Sequence, residues 1–134
     1  MKLGLAYRHQ LPLEQSQAQH SLDCLEITAD EVFDVSGARR EQIERLRRTF
    51  MLLVNSLDLS IGSVERPPRA YLDSVARVLE LTGAPYYSDH LAVTSTATRS
   101  LGQFSPVWYT EDMLDVVATN VTQVQRFTGL PRVL

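Results

Sequence analysis

Ser88-Asp89-His90 closes a short apolar run that begins at Tyr86, and His90 is the residue whose type and place could most readily do chemistry. An imidazole held at the end of a strand can ligate iron, zinc or manganese, or act as a general base. Three consecutive residues cannot converge into a nucleophilic triad, which is built from groups brought together in space, so that chemistry is discarded. Asp89 alternates away from His90 along an extended chain and is expected to point elsewhere. The plain structural alternative for His90 is a hydrogen-bonded histidine at the start of a loop. Glu26 and Asp30, and Asn55 and Asp58, close two earlier apolar runs and are the other candidates. His9, just past the first run, stays open, while His20 reads as a solvated surface residue. Cys24 lies inside an apolar run and reads as an inert core thiol.

These candidates need elements to carry them. Leu3 to Tyr7, Cys24 to Thr28, Met51 to Asn55, Tyr86 to Asp89 and Arg132 to Leu134 have the length and β-branched or aromatic content of buried strands. Between them lie helix-length segments. From Thr110 to Thr128, Met113, Leu114, Val117, Val121, Val124 and Phe127 recur at helical spacing, with Thr110 as the cap and Glu111 and Asp112 in an acidic first turn. Pro67 to Thr82 places Tyr71, Leu72, Val75, Val78 and Leu79 on one stripe, Ala38 to Arg48 is a more charged helix, and Leu13 to His20 a weaker one. The two strongest helices end alike, in Gly83-Ala84-Pro85 and Gly129-Leu130-Pro131, where a left-handed glycine and a helix-stopping proline precede the next strand.

Strand alternating with helix implies parallel strands joined by crossovers, an α/β fold. Because the fifth run has barely begun at Val133-Leu134 and a (β/α)8 barrel takes about 250 residues, residues 1–134 are expected to be a single domain. The expected architecture is the N-terminal half of a TIM barrel, about four βα units plus the start of a fifth strand. A complete small doubly wound sheet is the alternative. A half barrel exposes strand edges and part of its interior, so a dimer, or dependence on the missing half, is expected.

Composition narrows the partners. With 13 basic and 16 acidic residues, the net charge of −3 supplies no field that favours nucleic acid or an anionic membrane. No apolar run approaches the ~18 residues of a membrane span, the N-terminus lacks the apolar stretch of a signal peptide, and a single cysteine fits a reducing cytoplasm. The five arginines between Arg39 and Arg48 read as a solvated helix face laced with ion pairs. Leu59-Ser60-Ile61-Gly62-Ser63 looks like a turn that brings backbone N–H groups to a strand end, without the glycines of a dinucleotide or phosphate loop. The glycosylation triplet Asn120-Val121-Thr122 falls inside the best helix and reads as chance.

Several segments together resemble one family. Leu3-Gly4-Leu5, Asp23-Cys24-Leu25-Glu26-Ile27, Leu59-Ser60-Ile61-Gly62-Ser63, Ser88-Asp89-His90-Leu91-Ala92 and Tyr109-Thr110-Glu111 occur in the order and spacing of the multinuclear non-haem iron oxidases of peptide natural-product biosynthesis, which include MbnB and TglH. The resemblance implies a xylose-isomerase-like TIM barrel holding two or three iron ions at its mouth. It further implies oxidation by dioxygen of a cysteine in a ribosomally made precursor peptide, with a partner protein presenting that peptide. His90 is the metal ligand that carries over. Asn55-Ser56 stands where the family has a metal-binding His followed by Gly, and the family's next ligand, a Glu followed by Asn, would come directly after Leu134. Two rival readings remain: a truncated or degenerate barrel half that binds a peptide or protein without chemistry and without metal, and a metal-dependent isomerase or endonuclease on a related barrel.

Overall fold

The structure is a computed structural model that describes residues 2–9, 20–34, 37–96 and 98–133. Five parallel strands form one sheet: β1 (Gly4–Ala6), β2 (Cys24–Thr28), β3 (Met51–Ser56), β4 (Tyr87–Asp89) and β7 (Arg132–Val133). They lie side by side in strict chain order, β1-β2-β3-β4-β7. In a doubly wound sheet that order reverses at a switch point, so the strict order decides for a barrel wall over the doubly wound alternative. Helix α1 (Gly37–Thr49) joins β2 to β3, and α2 (Arg69–Thr82) joins β3 to β4. Helix α3 (Glu111–Thr128) precedes β7. The weak helix expected over Leu13 to His20 lies outside the described residues apart from His20, which is exposed.

Register and alternation sort the strand residues onto two faces. Leu25 pairs with Leu52, Ile27 with Val54, and Val54 with Tyr87. These five side chains are buried in one cluster with Ile43 and Leu46 of α1 and Leu72, Val75 and Val78 of α2. That face is the helix-covered exterior of the wall. The opposite, inner face carries Cys24, Glu26 and Thr28, then Met51, Leu53 and Asn55, then Ser88.

The helix ends follow the expected chemistry. Gly83 and Gly129 adopt left-handed conformations, with φ of 63° and 69°, and their N–H groups donate to the carbonyls of Leu79 and Gln125. Thr110 caps α3 by accepting from the Met113 N–H at 3.3 Å. On α1, Arg40 pairs with Glu44 at 3.0 Å, while Arg47 donates to the Leu81 carbonyl and so ties α1 to the end of α2. The apolar stripe expected along α3 is covered only toward its end. Val124 is fully buried, and Val121 and Phe127 pack against the core, but Leu114 is exposed.

The sequence reading assigned no element between His90 and Tyr109. There the chain forms an antiparallel hairpin, β5 (Ala92–Thr96) and β6 (Arg99–Pro106), between β4 and α3. Among the described residues no helix is long and apolar enough to cross a membrane.

Candidate functional site

The C-terminal ends of the parallel strands form the rim where a barrel carries its chemistry. Thr28 pairs with Asn55, and Asn55 with Ser88, so three neighbouring strands deliver these residues to one row of the inner face. The Ser88 hydroxyl donates to Asn55 Oδ1 at 3.1 Å, which fixes the carboxamide. At the β1 side of this row, Arg8 donates to Thr28 Oγ1 at 3.5 Å and lies 3.6 Å from the Glu31 carboxylate. Glu26 sits one step deeper than Thr28 on the same face and is half-buried.

His90 follows directly after β4, two residues past Ser88. It is exposed, and its imidazole stacks on the ring of Phe104 with centroids 4.1 Å apart and planes 15° from parallel. Asp89 behaves as the alternation requires. It is buried on the helix side, where Ser56 donates to Oδ2, and Ser56 also lies 2.5 Å from the Tyr87 hydroxyl. The other carboxylate oxygen, Oδ1, accepts the His90 backbone N–H at 2.5 Å. Asp89 therefore pins the backbone that carries His90.

The remaining candidates separate from this row. Asp30 accepts from the Tyr71 hydroxyl at 2.6 Å and from the Leu57 N–H at 2.8 Å, and Tyr71 in turn accepts from the Asp58 N–H at 3.1 Å. This trio shapes the loop after β3. Burial, followed by the hydrogen bond to Asp30 and its negative charge, pushes the Tyr71 hydroxyl far above its ordinary value near 10. His9 lines a small cleft with Glu31, Val32, Arg39 and Ile43 of the helix side. Cys24 is buried. No three His, Cys, Asp or Glu side chains come together as a metal-binding group among the described residues.

Two motifs turn out to be structural. Ser60, at φ 57°, points its hydroxyl at the hairpin, where Oγ accepts from the Thr94 and Ser95 N–H groups at 2.9 and 3.0 Å and donates to the Ser95 carbonyl. Gly62 donates to the Ala92 carbonyl at 3.0 Å, and a side chain there would collide with Val107. Asn120, the residue of the glycosylation triplet, is buried and donates to the carbonyls of Ile61 and Ser63 at 3.1 and 2.8 Å. The Leu59 to Ser63 turn thus fastens the hairpin and α3 to the barrel wall.

Residues 2–134 match the family model of the RiPP precursor modification enzymes MbnB/TglH/ChrH. The chain belongs to this family. Among curated relatives of this MbnB/TglH/ChrH member are a UPF0276 protein of Vibrio parahaemolyticus serotype O3:K6, 29% identical over 111 residues, and one of Chromobacterium violaceum, 28% identical over 126. The matches cover 83% and 94% of this chain but 38% and 45% of those proteins, so the chain spans less than half the length of these relatives. A D-psicose 3-epimerase crystallised in the presence of D-fructose superposes with a TM-score of 0.57 at 12% identity, and the Clostridium cellulolyticum H10 enzyme with D-tagatose at 0.58 and 15%. Each superposition covers 98% of this chain and 51% of the epimerase. At that identity the likeness shows the fold, and the family member is half of a TIM barrel by that measure.

Of the residues singled out in the sequence, Asn55 lies at the C-terminal end of β3 and His90 directly after β4. The sequence reading missed Phe104, Ser60, Tyr71 and Asn120 as parts of the scaffold around them. For Phe104 the available signal is the β-branched content of Val93, Thr94 and Thr96 followed within ten residues by Leu101 and Phe104, a hairpin pattern.

Proposed function

We propose that residues 1–134 form one domain, the N-terminal wall of an iron-dependent oxidase that uses dioxygen to modify a cysteine in a ribosomally made precursor peptide, with His90 as a metal ligand. The observation that supports this reading is the position of His90 at the C-terminal rim, directly after β4 and two residues past the Ser88 that bonds Asn55, in a chain of the precursor-modifying family. The donor chemistry of the described residues fits one corner of an iron site. The His90 imidazole has no hydrogen-bond partner among the described residues, so both ring nitrogens are open to a metal. Asn55 offers an amide oxygen, a poorer ligand than imidazole, and that oxygen already accepts from Ser88. The other ligands must come from outside these residues, from a longer chain or from a dimer partner.

Iron held at the rim supplies coordination positions for dioxygen and for a substrate thiolate. The protein's own residues do the positioning. Asp89 holds the His90 backbone from the helix side, and Ser88 holds the Asn55 amide. The partners in this reading are the precursor peptide and a protein that presents it, in the reducing cytoplasm.

The rival reading is a peptide- or protein-binding barrel half without catalysis, and it rests on the lack of an assembled group of metal-binding side chains among the described residues. Anaerobic titration of the full-length protein with ferrous iron, followed by native mass spectrometry, separates the two. Bound iron that is lost in His90→Ala supports the oxidase. Iron occupancy that is nil, or indifferent to His90, overturns it in favour of the binding module.

A further inference from the structure

Histidines that bind metals almost always have their ring plane and tautomer set by a hydrogen bond from the second nitrogen to a carboxylate, carbonyl or water. His90 lacks such a bond among the described residues. Its adjacent carboxylate, Asp89, is committed to the His90 backbone N–H and to Ser56. What meets the imidazole is an aromatic face, Phe104 at 4.1 Å and 15°. A flat contact of this kind fixes the ring plane and leaves the edge, where both nitrogens lie, uncovered.

Phe104 reaches that position through an irregularity in the hairpin. Val93 pairs with Ser105 and Ser95 with Ser100, so Thr94 alone on β5 faces residues 101–104 on β6. Gly102 takes the turn within this bulge at φ 64°. Bulges re-aim side chains and are common beside active sites, and Phe104 is the last residue of this one. Beside the broken ladder the Thr94 and Ser95 N–H groups both donate to Ser60. The bulge that aims Phe104 is thereby anchored to the barrel wall.

We propose that Phe104 is a positioning residue for His90: the stapled bulge of the β5–β6 hairpin lays its ring on the imidazole and sets the plane in which His90 ligates. This inference rests on the reading of His90 as a metal ligand.

Two readouts on the full-length protein test it, with Phe104→Ala, Phe104→Tyr and His90→Ala as variants. In metal-free protein, the His90 ring protons, identified by their loss in His90→Ala, are shifted by the Phe104 ring current. They return to ordinary histidine positions in Phe104→Ala and stay shifted in Phe104→Tyr. Under anaerobic titration with ferrous iron alone, Phe104→Ala weakens binding roughly two- to tenfold, the range expected from one lost aromatic stack, and Phe104→Tyr restores it. Unmoved His90 resonances in Phe104→Ala overturn the proposal, as does iron affinity unchanged in that variant while His90→Ala abolishes binding. Iron binding indifferent to His90→Ala sinks the metal-ligand reading itself, and with it the proposed role of Phe104, whatever the ring-current result.

Discussion

Replacing Ser60 by alanine tests whether the turn after β3 carries the hairpin. The Ser60 hydroxyl accepts two backbone N–H groups, from Thr94 and Ser95, and donates to the Ser95 carbonyl. Thr94 is buried and Ser95 half-buried, so alanine strands one donor fully and one in part. An orphaned buried donor costs about 1 to 3 kcal/mol, which places Ser60→Ala at about 2 to 4 kcal/mol of destabilisation. Ser60 also holds φ at 57°, a conformation that any side chain resists by about 1 kcal/mol and glycine does not. Ser60→Gly is therefore expected to cost about 1 kcal/mol less than Ser60→Ala, since it loses the same hydrogen bonds but relieves the backbone. Urea denaturation reads both numbers. With a slope of about 1 to 3 kcal/mol per molar for a small domain, the alanine midpoint falls by roughly 1 to 2 M at the central values. Amide exchange at Thr94 and Ser95 distinguishes local opening of the hairpin from global unfolding. An unchanged midpoint with unchanged exchange at those amides refutes the staple, and a glycine variant less stable than alanine refutes the account of the backbone.

Three further outcomes follow from buried polar groups. Thr94 Oγ1 is buried without a hydrogen-bond partner among the described residues, so Thr94→Val, which keeps the shape, is expected to stabilise by about 0.5 to 2 kcal/mol in the same denaturation assay. Tyr71, with its pKa raised in the fold, stays protonated while the unfolded chain ionises near pH 10. Its contribution is thus complete below that pH and is lost above it, at up to about 1.4 kcal/mol per pH unit. Tyr71→Phe should cost about 1.5 to 3 kcal/mol at neutral pH through the lost bond to Asp30, and the difference from wild type should shrink above pH 10. Asn120→Asp keeps the volume but turns an acceptor toward the carbonyls of Ile61 and Ser63. We expect about 2 to 4 kcal/mol of destabilisation at pH 7, and partial recovery as acidification restores one donor, visible as denaturation midpoints at pH 7 and pH 4.

The wall of the barrel was legible in the sequence because its signals are local. Apolar runs of strand length, a threonine cap at Thr110 and Gly83 and Gly129 before prolines each act within a few residues, and the observed bounds differ from the expected ones by one or two positions. The hairpin was not legible in the same way. Its strands are broken by a bulge, its longer strand is exposed along most of its length, and its ladder is completed by Ser60, more than thirty residues away in the chain. No period of two survives that interruption. Asn120 was hidden for a related reason, since an asparagine on a helix shows neither in type nor in spacing that its partners are carbonyls of a distant turn.

Parity along the strand decided which polar residues belong to the site and which to the fold. Asn55 and Ser88 fall on the inner face, whereas Ser56 and Asp89, one step away from them, fall among the helices and bond to each other. By residue type alone Asp89 is the more obvious chemical group, an acid beside a histidine. It nonetheless holds the strand end, its carboxylate accepting from Ser56 and from the backbone N–H of His90. The histidine that remains has its backbone N–H held by Asp89 and its ring stacked on Phe104. The imidazole edge of His90, without a hydrogen-bond partner among the described residues, is therefore the polar group left open just past the C-terminal end of β4.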